Sequence, residues 1–325
     1  MTSTDVAKML GISQSTVSRA FNPKASISEK KRKMVMDAAN KLGYTPNAIA
    51  RSLISNRSGL IAIALDSESN PMYDTLARLL TKAIQKSGGQ AILCPIDEGN
   101  LDLAISRAIE YQVDGLIIAT SRLTSRAIAQ CDKFGVHLCL INRYIEGLSA
   151  NSVGLDNLDA GVQAAHYLTT KGYKQLAYLS GDAGSMTSEE RWKGFSKTLN
   201  ELGYSPAKFI EACYTFESGQ EAAQEVVSSS HKIDAVFCAN DILALGLIDG
   251  LRQKGHRVPD DYAVLGVDDV QMAAWPAYNL TTIQQPTEKI AAVVVEDLLA
   301  RIHGEETKTG QYLMQPGTMV ERSSC

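Results

Sequence analysis

The chain has 325 residues, 45% of them hydrophobic and 21% charged, a composition that suits a globular protein with two or three cored domains. No apolar run approaches the roughly 18 residues that a membrane-spanning helix needs. Residues 1–10 contain Asp5 and Lys8 and no apolar stretch of a secretory signal, so the expected location is the cytoplasm. The net charge of −4 hides a division. Residues 1–57 carry ten Lys and Arg against three Asp and Glu, a net of +7, whereas residues 58–325 carry 22 against 33, a net of −11. A polyanionic partner is therefore sought at the N-terminal end. The six cysteines (Cys94, Cys131, Cys139, Cys213, Cys238, Cys325) lack C-x-x-C spacing and are expected to be reduced thiols.

A first helix runs to about Leu10, capped by Ser3, Thr4 or Asp5, and Gly11 ends it. Ser13 caps a second helix from Gln14 to Phe21. Two short helices joined by a glycine turn have the shape of a helix-turn-helix. Val6, Ala7, Leu10, Ile12, Val17 and Ala20 are spaced to share one small core, which leaves Gln14, Ser15, Ser18 and Arg19 outward. Glutamine suits adenine, arginine suits guanine and serine suits either, although a solvated polar face would look similar. After the loop at Asn22, Pro23 and Lys24, Ser28 caps a third helix over Glu29–Leu42 that places Val35, Ala38, Ala39 and Leu42 inward. Lys30, Lys31, Arg32 and Lys33 on it are expected to contact phosphate. Residues 46–54 read as a helix of about eight residues, too short to hold alone in water, where roughly 12–15 are needed.

From Gly59 the period changes. Strand-length apolar runs (Leu60–Leu65, Gln90–Cys94, Gly115–Ala119, Val136–Ile141, Gln175–Ser180, Ile210–Cys213, Ala235–Cys238, Ala263–Val267) alternate with amphipathic helical segments. The pattern predicts an α/β body of parallel sheets covered by helices. Eight strands in two groups of four suggest two doubly wound lobes, divided near residues 142–157, with a last helix at Glu288–Ile302. Neither G-x-G-x-x-G nor G-x-x-x-x-G-K-[ST] occurs, so no nucleotide cofactor is expected. Ligands of open α/β sheets lie beyond the carboxyl ends of the strands. Asp66, Asn70, Tyr73, Asn142, Arg143, Asp156, Asn240, Asp241, Asp268 and Asp269 fall at such ends, and Arg191 near the start of its helix. Carboxylates, amides, a guanidinium and an aromatic face together suit a polyhydroxylated ligand, although strand-end Asn and Asp also cap helices.

Ordered motifs then carry a resemblance. Asp5-Val6-Ala7, Gly11-Ile12-Ser13, Thr16-Val17-Ser18-Arg19, Leu42-Gly43-Tyr44-Thr45-Pro46-Asn47-Ala48 and Ala50-Arg51-Ser52-Leu53 are followed by Ser69-Asn70-Pro71, Ile141-Asn142-Arg143, Gly154-Leu155-Asp156-Asn157, Glu190-Arg191-Trp192-Lys193-Gly194-Phe195, Ala239-Asn240-Asp241, Gly266-Val267-Asp268-Asp269 and Thr281-Thr282-Ile283-Gln284-Gln285-Pro286. Over essentially its whole length the chain resembles the lactose-repressor/galactose-repressor (LacI/GalR) family of transcription regulators. The resemblance implies a helix-turn-helix headpiece at 1–45, a hinge helix and linker at 46–58, and a periplasmic-binding-protein-like effector core at 59–325. The N-lobe would span about 59–157 and 287–313, and the C-lobe about 158–286 and 314–325. It implies DNA contacts by Gln14, Ser15, Thr16, Ser18, Arg19, Asn22, Tyr44, Asn47 and Ala50, with Leu53 wedged into the minor groove. It implies effector contacts by Asn70, Tyr73, Arg143, Asp156, Arg191, Phe216, Asn240, Asp268 and Gln285. The implied partners are a near-palindromic operator, a small effector such as a sugar or sugar acid, and a second copy in a homodimer or higher oligomer. Two departures bear on the effector: Met72-Tyr73 stands where two aromatics are common, and Asn142 replaces a frequent Asp before Arg143. A sugar-binding transport protein would share the two lobes but needs no basic headpiece. An enzyme would need more than Asp156, Asp268, Asp269 and five scattered histidines.

Overall fold

The computed structural model describes residues 1–21, 25–44, 57–65, 70–96, 100–119, 125–230, 232–305 and 308–325. The expected helix at 46–54, with Asn47, Ala50 and Leu53, lies outside the described residues, as do Asn22 and Asp66. The chain divides into two compact units, Met1–Gly59 and Leu60–Cys325.

The first unit holds three helices: α1 (Ser3–Leu10), α2 (Gln14–Ala20) and α3 (Glu29–Leu42). The cap of α1 is Thr2 rather than a residue from Ser3 to Asp5. Thr2 and Asp5 form a reciprocal capping box, in which the Asp5 carboxylate accepts from Thr2 N at 2.8 Å. Those bonds hold the Asp5 carboxyl below its usual range. Gly11 closes α1 at φ +60°, a left-handed conformation that favours glycine. Ser28 sits at the start of α3 without a side-chain cap bond. Val6, Ala7, Val17, Ala20, Val35, Ala38 and Ala39 form the core, with Leu10, Ile12, Phe21, Ile27, Leu42 and Tyr44 half-buried around it.

The second unit is built on two six-stranded sheets. The first contains β1 (Leu60–Leu65), β2 (Gln90–Leu93), β3 (Gly115–Ala119), β4 (His137–Ile141), β5 (Asn151–Leu155) and β11 (Tyr312–Gln315), all parallel, in the order β11-β5-β4-β3-β1-β2. Alternate residues serve its two faces. Ile61, Ile63, Ile117 and Cys139 join α4 (Met72–Lys86) and α11 (Thr287–Ile302) in one core, while Ala62, Ala64, Leu116 and Leu138 join α5 (Leu101–Glu110) and α6 (Ser125–Lys133) in another. The second sheet contains β6 (Leu176–Leu179), β7 (Lys208–Ile210), β8 (Ala235–Cys238), β9 (Ala263–Asp268), β10 (Thr281–Gln284) and β12 (Thr318–Val320), in the order β12-β10-β9-β8-β6-β7, with β12 alone antiparallel. Its helices are α7 (Asn157–Thr170), α8 (Met186–Glu201), α9 (Phe216–Val227) and α10 (Asp241–Gln253).

Three differences from the sequence pattern matter. The polar break at 142–157 contains β5, fully buried, and with β10, β11 and β12 it brings the described residues to twelve strands rather than eight. Strand β7 falls at Lys208–Ile210 rather than Ile210–Cys213, because pairing with β6 sets Leu179 against Ile210 and leaves Cys213 exposed in a loop. The last passage between sheets falls between Gln315 and Thr318, a little later than residue 313. The chain thus crosses between the lobes three times: after Leu155, after Gln284 and after Gln315.

In the second lobe the helices pack pairwise at backbone distance. A Cβ on Gly161 of α7 would lie 2.1 Å from the carbonyl oxygen of Arg191 in α8, and one on Gly194 of α8 would lie 2.1 Å from that of Leu158. Gly219 and Gly246 join α9 to α10 in the same way, at 2.3 Å from Leu243 O and 2.0 Å from Phe216 O.

Candidate DNA-reading surface and ligand cleft

On α2, Gln14, Ser15, Ser18 and Arg19 are exposed and Thr16 is half-buried, while Val17 and Ala20 face the core. Both ends of this helix are fixed. At the start, Ser13 Oγ accepts from Thr16 N at 3.2 Å, and its hydroxyl lies 2.8 Å from that of Ser15. Gln14 Nε2 donates to Ser3 Oγ at 2.8 Å, tying the helix to α1. At the end, Arg32 Nη1 donates to Ala20 O at 2.7 Å and Nη2 to Ala25 O at 3.2 Å. Arg32 therefore clamps α2 and the following turn to α3, a structural task beside the phosphate contact expected of it. Lys30, Lys31 and Lys33 are exposed on α3. Tyr44 packs edge-on against Phe21, with ring centroids 5.7 Å apart. Replacing Arg32 by Ala should destabilise the headpiece by about 1.5–3 kcal/mol, the range for hydrogen bonds to a charged donor. Lysine should not rescue it, since it lacks the two-pronged geometry. The melting of the headpiece, followed by NMR of the full chain, checks this.

In the second unit the strand ends gather a buried polar cluster. Asn70, just ahead of α4 and 7% exposed, donates from Nδ2 to Asp268 Oδ2 at 2.7 Å and accepts at Oδ1 from Met72 N at 2.9 Å. Gln285 Nε2 donates to Asp268 Oδ1 at 2.6 Å. Asn142 Nδ2 reaches Gln285 Oε1 at 3.5 Å. One carboxylate thus holds an amide from the first lobe and another from the second crossover. Burial pushes the Asp268 carboxyl above its usual range, and the charge of Arg191 and the two amides offset part of that rise.

Arg191, 3% exposed on α8, donates from Nε to Asn157 Oδ1 at 2.9 Å and from Nη1 to the carbonyl of Ala239 at the end of β8. Asn240 caps α10, its Oδ1 accepting from Leu243 N at 2.9 Å, and Asp156 caps α7, its Oδ1 accepting from Asp159 N at 3.0 Å. Both therefore have a capping function. Tyr73, Arg143 and Phe216 are half-buried in the first turn of α4, after β4 and at the start of α9. Met72, by contrast, is buried in the core. Asn142 has φ +56° and accepts from Leu155 N at 3.3 Å, so it serves as a strap between strand ends. Asn157 and Tyr312 belong to this cluster and were absent from the expected set. Asn157 stands next to Asp156 in a matching motif, whereas nothing local marks Tyr312.

Behind the cluster, Asp241 is fully buried; its carboxylate accepts from Thr282 Oγ1 at 2.5 Å and Val270 N at 2.9 Å. Glycine at 266 makes room for it, since a Cβ there would meet Asp241 Oδ1 at 2.2 Å. Burial first, and the neighbouring Asp268 second, push the Asp241 carboxyl well above the carboxylate range. The folded protein then retains a proton that the unfolded chain releases. Stability therefore falls as pH rises from the unfolded value of about 4 through the raised folded value. Asp241→Asn keeps an acceptor for Val270 N and a partner for Thr282 without the charge. Its melting temperature relative to the parent should rise with pH and lose its advantage in acid, which a thermal melt series from about pH 4 to 8 reads directly.

A three-helix reader with an exposed polar row, joined to a two-lobed α/β body with a buried polar cleft, defines a DNA-binding regulator with a ligand-binding domain. A profile described as bacterial regulatory proteins, lacI family, matches residues 2–47, and one for a periplasmic binding protein-like domain matches residues 165–325. The HTH-type transcriptional regulator DegA of Bacillus subtilis is 31% identical over 327 residues, 98% of this chain and 96% of its own. The HTH-type transcriptional repressor PurR of Photobacterium profundum is 29% identical over 325 residues, 98% and 97% of the two chains. Among solved structures, the lac repressor dimer bound to operator and the anti-inducer ONPF aligns with a TM-score of 0.86 at 25% identity, covering 100% of this chain and 98% of that one. The CelR–cellobiose complex aligns at 0.76 and 26% identity over 100% of both chains. A LacI family regulator from Enterococcus faecium with bound ribose aligns at 0.74 and 26% identity, over 82% of this chain and 98% of its own. The chain belongs to the lacI family of bacterial transcriptional regulators. Its relatives are regulators rather than enzymes. Among the described residues no helix is long and apolar enough to cross a membrane.

Proposed function

We propose that this regulator represses transcription as a homodimer on a near-palindromic operator, and that a small polar ligand between its lobes sets its operator affinity. Gln14, Ser15, Thr16, Ser18 and Arg19 read the major groove of each half-site, with Asn22, Tyr44, Asn47 and Ala50 completing the contact and Leu53 entering the minor groove. A relative named as a repressor and a structural neighbour bound to operator as a dimer support this reading. The ligand is a sugar or sugar derivative, taken up by Asn70, Tyr73, Arg143, Asp156, Arg191, Phe216, Asn240, Asp268 and Gln285. The observation that carries the ligand reading is the Asp268 carboxylate, buried beside Arg191 and holding two amides. A pair of ligand hydroxyls can replace those amides one for one. The cellobiose- and ribose-bound neighbours agree with it.

A thermal-shift screen of sugars, sugar acids, polyols and nucleobases tests the ligand class. A shift with sugars or sugar acids is expected, and a shift with nucleobases alone would overturn it. Leu53→Ala tests the wedge. Binding to an operator selected in vitro should weaken on the order of 10²-fold while binding to scrambled DNA changes little, because only a kinked site uses the wedge. Equal loss on both DNAs would show that Leu53 is a packing residue.

A further inference from the structure

The polar bonds of the cleft extend past the residues proposed to touch ligand. Asn157, fully buried at the first position of α7, accepts from Arg191 Nε at 2.9 Å. Its Nδ2 donates to Leu155 O at 3.1 Å and reaches the Tyr312 hydroxyl at 3.5 Å. That hydroxyl donates in turn to Leu155 O at 3.3 Å, and the Tyr312 ring stacks on Tyr144, with centroids 5.8 Å apart and planes 12° from parallel. On the other side of the same residue, Leu155 N donates to Asn142 Oδ1 at 3.3 Å, and Asn142 leads through Gln285 to Asp268. Leu155 ends β5, where the chain leaves the first lobe. Arg191 and Asp268 are thus connected by side-chain bonds to the C=O and the N–H of one crossover residue.

We propose that Asn157 is the positioning residue that ties Arg191 to the β5–α7 crossover and, through Tyr312, to strand β11, which leads into the third crossover. The consequence for the regulator rests on Arg191 contacting ligand: a ligand that draws on the guanidinium then draws on two crossovers together. The chemistry explains the residue type. The position needs a planar group with an acceptor toward a guanidinium and a donor toward a carbonyl and a hydroxyl, at the shortest side-chain length that reaches both. Leucine matches the shape and offers neither. Aspartate loses the donor to Leu155 O but keeps an acceptor for Arg191 Nε and gains one for the Tyr312 hydroxyl, which can rotate from Leu155 O to it.

The test is a double-mutant cycle between Arg191→Lys and Tyr312→Phe, repeated in three backgrounds and read as thermal midpoints of the full chain without ligand. With Asn157 in place, the combined shift should differ from the sum of the single shifts by about 2–4 °C. In Asn157→Leu, or Asn157→Ala if the leucine variant does not fold, the two shifts should add. In Asn157→Asp the non-additivity should return. Additivity with Asn157 present would overturn the proposal, as would non-additivity that survives in Asn157→Leu. A merely structural asparagine lowers every midpoint but leaves the coupling between its two neighbours unchanged. Because no ligand enters the cycle, its result is independent of the effector reading, which fails separately if the Arg191→Ala protein still responds to the compound found in the screen.

Discussion

Arg191→Ala is expected to remove the ligand response of operator binding while leaving ligand-free operator affinity within about threefold of the parent, because the substitution touches the coupling and not the reader. The structure adds a second expectation. Arg191 is 3% exposed, and its guanidinium satisfies Asn157 Oδ1 and the Ala239 carbonyl. Its charge also restrains the rise of the Asp268 carboxyl. Removing it leaves two buried acceptors and one poorly compensated acid, a loss of about 3–5 kcal/mol by analogy with breaking a buried ion pair from one side. Operator titrations with and without the compound found by thermal shift read the first effect, and denaturant unfolding of the same protein reads the second. A stable variant that still responds to ligand would remove Arg191 from the cleft's contacts.

Gly161→Ala should have a stability effect of similar size from a single methyl group. Alanine has the better intrinsic helix propensity by about 1 kcal/mol, and in a solvated helix it would stabilise. Here its Cβ would lie 2.1 Å from Arg191 O and 2.7 Å from Phe195 N, both backbone atoms. Helices α7 and α8 must separate, and the overpacking cost of about 3 kcal/mol or more outweighs the propensity gain. The core's melting temperature should fall by about 6–12 °C. The displaced backbone is that of Arg191 itself, so ligand affinity should fall with it. An unchanged melting temperature would mean that the helix pair opens without resistance.

The headpiece was legible because its signals are local. Gly11, Ser13 and Gly43 mark helix ends by side-chain and backbone chemistry within a few residues, and the apolar spacing gave its core. The role of Arg32 was not legible, since its bonds reach carbonyls 12 and 7 residues away and a run of four basic residues looks uniform in sequence. In the core, strands rich in Ile, Leu and Val announced themselves. Strand β5 did not, because Asn151 and Ser152 are buried only by virtue of distant partners. Asn151 Nδ2 donates to Asp297 Oδ1 and Lys308 O, and Ser152 Oγ to Arg143 O. Of the cleft, Asn70, Arg191, Asp268 and Gln285 were named from motifs and lie in one bonded cluster. Asn157 and Tyr312, 155 residues apart, meet only after the third crossover is made.

The glycine contacts that lock α7 to α8 and α9 to α10 also say where this molecule can be changed. A lobe whose helices touch through backbone atoms has little internal compliance, so side chains facing the cleft can be exchanged without altering how the lobe moves. Recognition chemistry can then be varied wherever it does not also carry a bond to a crossover. Grafting a new ligand preference should start with Tyr73 and Phe216, with the four glycines, the Asn70–Asp268–Gln285 bonds and the crossover residues left untouched.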